Sequence, residues 1–481
     1  MNFGVKPYMN NSGTEKPTKY KRLVADTFIF ALGNLGSKVI LFFMVPLYTK
    51  FLTKEEYGTS DLVFTVAQLL VPFVSLVIFD AVLRFGLEKG ADKQSVLKSS
   101  FVVILLGSMI TVMVTPAFLL YKPLSEWRWY LCIYVILTMV GNVELNYLKL
   151  IDKNKSFAII SILHTLVLAV ANVVLLANFH WGIRGYLIAT ILGSTTTVVL
   201  SIFPGKIVQA LKRGKFNRTL LKRMIVFSSP LILNNVSWWV IQSSDKIMIE
   251  AMVGAAALGL YTAATKIPSL INVIISIFSQ AWGLSSIREF ESSNDKNFYS
   301  DVFVSYSVIG FGAAICINTV VKVFMSFYVS DSFFEAWRFV PLLLASASFS
   351  AVASYFGSLY GALKKSVNNM KSTLAAAIVN ILVNYICILL FGTWGAIIGT
   401  ITAYIILALY RMIDVLRFIP FDPQWKRFCI NAGITVIQAI LVSLDVQVYI
   451  VSILCLILFV IVNRTVIKKM ILTSMRLIKR K

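Results

Sequence analysis

The sequence predicts an all-α polytopic membrane protein of 14 transmembrane helices, built as two parallel six-helix lobes followed by two C-terminal helices. Three observations carry this. Hydrophobic residues fill 58% of the 481 positions and charged residues only 14%, with a mean hydropathy of +0.80, outside the range of water-soluble globular chains. Apolar runs of about 20 residues, the length that crosses the hydrocarbon core, recur along the chain. Matched segments reappear at an offset of 201 residues.

A polar N-terminal tail, residues 1–26, has no small-residue cleavage site after it, so the first helix is expected to be retained rather than removed as a signal peptide. The N-lobe, 27–205, then places spans near 27–49, 60–83, 99–121, 129–148, 157–178 and 185–205. A basic linker, 206–224, carries seven Lys and Arg and is suited to anionic lipid headgroups. The C-lobe, 225–410, repeats the pattern near 225–248, 257–282, 301–325, 339–360, 372–391 and 394–410. Segment 411–463 holds a loop and spans near 428–444 and 447–463, and 464–481 forms a basic tail.

Charge fixes the orientation. Of 45 Lys and Arg, 35 fall in the tails and in alternate loops, and six in the opposite loops. Basic residues are retained on the cytoplasmic side, so both termini are expected there and the helix count is even. The net charge of +23 suits anionic lipid. It does not suggest nucleic acid, which would need an exposed basic domain rather than short caps between apolar runs. The five cysteines lie in apolar runs without a C-x-x-C pair, and His164 and His180 are far apart in sequence, so neither a metal nor another cofactor is expected.

The repeat organises the chain. Ala31–Ile40 (ALGNLGSKVI) aligns with Ile232–Ile241 (ILNNVSWWVI), and FLTKEEYG ending at Gly58 aligns with MVGAAALG ending at Gly259. Ala171–Gly182 resembles Val383–Gly395. Because each unit has six spans, both begin on the cytoplasmic side, which makes a parallel repeat about an axis along the membrane normal. Such a repeat encloses a cavity near the midplane and works by alternating access. Short outer loops leave no room for a polymerase or glycosyltransferase site, so no enzyme activity is expected.

Ionisable groups inside spans are costly and mark function. Lys38 lies deep in the first span with Asn34 one turn away, Lys266 lies in the eighth, and Arg84 closes the inner end of the second near Asp80. These cations suit a diphosphate, which lysine holds as a compact charge without demanding one geometry. The alternative is that Lys38 pairs with an acid elsewhere and Lys266 with Asp245. Down the seventh span, Asn235, Trp239, Gln242 and Lys246 form one stripe that suits a sugar-handling wall or, equally, interhelical contact. Asp245, Lys246 and Glu144 are candidates for coupling or ion pairing. Gly33, Gly36, Gly395 and Gly399 are read as sites of close helix approach.

Phe42–Val63 (FFMVPLYTKFLTKEEYGTSDLV) and its echo Ser243–Ile267 (SSDKIMIEAMVGAAALGLYTAATKI) resemble the lobe openings of the polysaccharide and O-antigen flippases (Wzx type) of the multidrug/oligosaccharidyl-lipid/polysaccharide (MOP) superfamily. The resemblance implies a MATE-like, V-shaped pair of lobes that moves an undecaprenyl-diphosphate-linked oligosaccharide between leaflets of the plasma (inner) membrane. It implies membrane lipid as a further partner, with a polysaccharide polymerase and glycosyltransferases acting alongside. The family's cationic cavity maps onto Lys38 and Lys266, and spans thirteen and fourteen are expected to shape a groove for the lipid tail. The rival reading is a cation-coupled drug exporter of the same superfamily, which would need a cavity dominated by acids. A membrane scaffold without transport is the third.

Overall fold

The computed structural model describes residues 36–292 and 295–479, and within them the chain is helical with no strand. Twelve of its helices are long and apolar enough to cross a membrane. They coincide with expected spans two to seven and nine to fourteen. The eighth expected span falls in helix Ala255–Ser292, and helical residues 36–51 end the first.

In the N-lobe, α1 (residues 36–51) breaks at Met44, where Pro46 opens the final segment Val45–Phe51. The second span is two helices, α2 (Lys54–Ser75) and α3 (Ile78–Gly86), joined at Leu76 and Val77, both at positive φ of 51° and 52°. Two consecutive left-handed residues, one of them β-branched, are a strained break. Thr53 and Glu56 start α2 with a reciprocal capping box, which satisfies two orphan amides at the start of the helix. Then follow α4 (Lys93–Val114), α5 (Arg128–Leu150), α6 (Asn154–Asn172) and α7 (Gly182–Gly205), and a short helix α8 (Ile207–Arg213).

The C-lobe begins with α9 (Arg218–Met252), capped by Asn217, and continues through α10 (Ala255–Ser292), α11 (Lys296–Tyr328), α12 (Val340–Ala362), α13 (Ser366–Phe391) and α14 (Thr393–Leu416). The lobes repeat the same pairings: α7 packs on α5 and α6, as α14 packs on α12 and α13. Gly395 faces the Cys387 backbone and Gly399 the Asn384 side-chain amide so closely that a Cβ would collide, whereas Gly36 faces open space and Gly33 lies outside the described residues. The final helices α15 (Trp425–Ser443) and α16 (Val448–Lys479) dock on α11 and α12. Asn431 and Asn463 join them by reciprocal amide bonds of 3.1 and 2.7 Å, the polar contact that holds helices together where lipid removes the hydrophobic drive.

The lobes meet at the end where α2 begins and α9 finishes. There α2 lies against α10, Tyr121 bonds Glu250, and the Ser330 hydroxyl donates to the Thr49 carbonyl. At the opposite end the first turns of α9 reach back onto the N-lobe, with Arg223 on Glu88 at 3.1 Å and Phe227 edge-on to Phe85.

Candidate functional site

Between the lobes, two turns in from the start of α2 and the end of α9, lies a buried charge cluster. The Asp61 carboxylate on α2 is 2.8 Å from the Lys246 ammonium on α9 and 4.0 Å from that of Lys266 on α10. It also accepts a hydrogen bond from the Thr262 hydroxyl at 3.0 Å. Every partner belongs to the other lobe, so Asp61 links N-lobe to C-lobe through three contacts. Two ammoniums against one carboxylate leave this cluster with a formal surplus of one positive charge. Low-dielectric surroundings strengthen such a cluster and penalise any member left alone.

Asp245 stands behind it in the C-lobe. Its carboxylate accepts from Tyr261, from the Thr400 hydroxyl at 3.2 Å and from the Lys246 amide at 2.9 Å. The alternative pairing of Lys266 with Asp245 does not form: the Lys266 and Lys246 ammoniums both turn to Asp61 of the other lobe. Asp245 and the exposed Gln242 border a cavity of ≈ 110 Å³ closed by Tyr404 and Ser350.

The stripe on α9 faces the other lobe. The Trp239 indole N–H donates to the Thr65 carbonyl on α2 at 3.1 Å, and Asn235 donates to the Leu231 carbonyl of its own helix at 2.9 Å. Each thus makes one hydrogen bond within the protein. Lys38 on α1 is exposed and has no ion pair among the described residues. Asn34 lies outside the described residues.

Arg84 stands apart in the last turn of α3. Its guanidinium is 3.6 Å from Glu88, one turn on along the chain, and not on Asp80. With a side chain 59% exposed, it does not join the lysines. Glu144 is buried in α5, with one carboxylate oxygen lacking a hydrogen-bond partner. Sequence reasoning passed over Asp61, although an acid inside a predicted span was itself a signal. It also assigned Arg411 to a loop. The guanidinium is buried in α14, donating to Ser372, Ala353, Asn369 and Thr373.

Residues 23–283 match the polysaccharide biosynthesis protein family. The chain belongs to that family. It is 24% identical over 265 residues to a protein of the Lsg locus of Haemophilus influenzae, a match spanning 54% of this chain and 65% of the relative's length. The same fold recurs in solved structures. The lipid II flippase MurJ in an inward closed conformation superposes with a TM-score of 0.69 at 14% identity, over 92% of this chain and 100% of that one. An inward-facing multidrug resistance MATE family transporter of the MOP superfamily follows at 0.66 and 14%, over 81% and 94%.

Proposed function

We propose that this family member moves an undecaprenyl-diphosphate-linked oligosaccharide from the cytoplasmic to the outer leaflet by alternating access, making and breaking no covalent bond. Its product feeds a surface polysaccharide: capsule, exopolysaccharide, O-antigen or teichoic acid. The chain sits in the plasma membrane with both termini cytoplasmic, between glycosyltransferases that build the repeat unit and a polymerase that consumes it.

One relationship carries this reading. At the offset of 201, position 38 is the mate of 239 and position 65 is the mate of 266. The Trp239–Thr65 contact between lobes therefore has Lys38 and Lys266 as its symmetry counterpart. That would bring the Lys38 side chain to the Lys266 backbone, and a diphosphate bound there would be within reach of an ammonium from each lobe. Asp61 would compete with it for Lys266. A loaded diphosphate would draw the lysine from Asp61 and weaken the outer seam, so binding would favour the outward-open state through differential affinity. The sugars would cross in the hydrated space, with the lipid tail in the bilayer beside α15 and α16.

The Asp245 cavity favours a second reading, a cation-coupled drug exporter. The lysines around Asp61 weigh against it, since they repel an organic cation. Deletion of the gene followed by mass spectrometry of lipid-linked intermediates separates the two. Accumulated oligosaccharide diphosphate lipid supports the flippase, and an altered drug-resistance profile alone supports the exporter.

A further inference from the structure

We infer that the N-lobe contains its own neutral saccharide subsite, a cavity of ≈ 300 Å³ between α1, α5, α6 and α7, which receives the sugar attached directly to the diphosphate. This rests on the flippase reading above. Tyr134, Thr138 and Asn142 line it from α5 at spacings of four residues, which places them in one stripe along the helix. Ser161, His164 and Thr165 face them from α6, and Thr197 from α7.

The hydrogen-bond inventory decides what fits. Thr138 donates its hydroxyl proton to the Tyr134 carbonyl at 2.7 Å, Ser161 to Phe157 at 2.9 Å and Thr165 to Ser161 at 3.1 Å. With these protons spent on the backbone, the three hydroxyls offer lone pairs to the cavity. His164 Nδ1 is engaged with the Thr197 hydroxyl at 3.0 Å. The Asn142 carboxamide, donor and acceptor together, has no partner among the described residues.

Among the described residues no ammonium, guanidinium or carboxylate lines the space. An anion finds no cation there, and an organic cation finds no counter-charge to offset its desolvation. A neutral group rich in O–H and N–H donors finds acceptors, one amide and the face of Tyr134. The volume lies at the small end of the ~300–1,000 Å³ of ligand pockets, the scale of one sugar unit rather than a whole repeat. Ser37 lines the same cavity and Lys38 is the next residue, so the cavity lies within about one helical turn of a diphosphate held by Lys38, close enough to receive its first sugar.

The test compares binding of undecaprenyl diphosphate with undecaprenyl diphosphate carrying N-acetylglucosamine or galactose, using the full chain in nanodiscs. Wild type is expected to bind at least one sugar-bearing probe 10-fold or more tighter than the bare lipid. Thr138→Val and Asn142→Leu are each expected to erase that preference while leaving bare-lipid affinity unchanged. The subsite is overturned if wild type binds all three lipids equally, if the variants keep the preference, or if they weaken all three probes alike. Wild type binding none of the probes overturns the flippase reading itself.

Discussion

Gly58 and Gly259 face each other across the outer seam as repeat mates: a Cβ on Gly58 would run into the carbonyl of Ala255, and one on Gly259 into that of Lys54. Lys54 and Ala255 are themselves 201 residues apart. A reciprocal contact of this kind is what a two-fold axis between parallel repeats produces. The obstacle in each case is backbone, which cannot swing aside.

Gly58→Ala and Gly259→Ala are therefore expected to part α2 from α10, at ~1–3 kcal/mol for an overpacked contact. Thiol labelling of a cysteine placed at Leu258, buried in this seam, reads the effect. Each glycine variant should raise the labelling rate, and an unchanged rate would mean that the seam is not held closed here.

Asp61→Asn should expose the cost of leaving Lys246 and Lys266 together without their carboxylate. Breaking a buried pair costs ~3–5 kcal/mol when fully desolvated; the loss here should be smaller, because the Lys266 side chain is 30% exposed. A lowered melting temperature in detergent is expected. Adding Lys246→Gln should recover most of it, and no recovery would show that Asp61 acts through something other than this charge.

Lys38→Gln should abolish transport with normal membrane abundance, while Lys38→Arg should retain part of it, since charge matters here more than geometry. Surface polymer measured against protein level reads both outcomes.

Arg411 predicts the opposite behaviour. Four neutral acceptors from α12 and α13 hold its guanidinium, and a lysine cannot reach them all. Arg411→Lys should destabilise the C-lobe by ~1–3 kcal/mol through unsatisfied buried acceptors. Per-molecule transport should persist in the protein that still folds, as read by transport normalised to folded protein from size-exclusion chromatography.

Much of the fold was legible because its causes are one-dimensional. Span length reflects bilayer thickness, and an offset of 201 relates positions whose mutual contacts the structure then displays at Gly58 and Gly259. The periodicity of Asn235, Trp239, Gln242 and Lys246 predicted one face, and Trp239 and Lys246 do reach the other lobe together. What that face touches was not legible, since Thr65 and Asp61 come from a helix 174 and 185 residues earlier. Arg411 escaped notice because a basic residue at a span's cytoplasmic end looks like any other topological anchor. The N-lobe cavity was hidden for another reason: it is assembled from ordinary Ser, Thr and Asn side chains on four helices, and no local pattern distinguishes these from interhelical contacts.

The most direct measurement reconstitutes the protein in vesicles with a fluorescent undecaprenyl-diphosphate saccharide and follows its arrival in the opposite leaflet by membrane-impermeant quenching. Transfer by wild type and its loss in Lys38→Gln and Lys266→Gln are the predicted results. Vesicles in which wild type moves the lipid no faster than protein-free controls, or in which both lysine variants match wild type, would contradict the account.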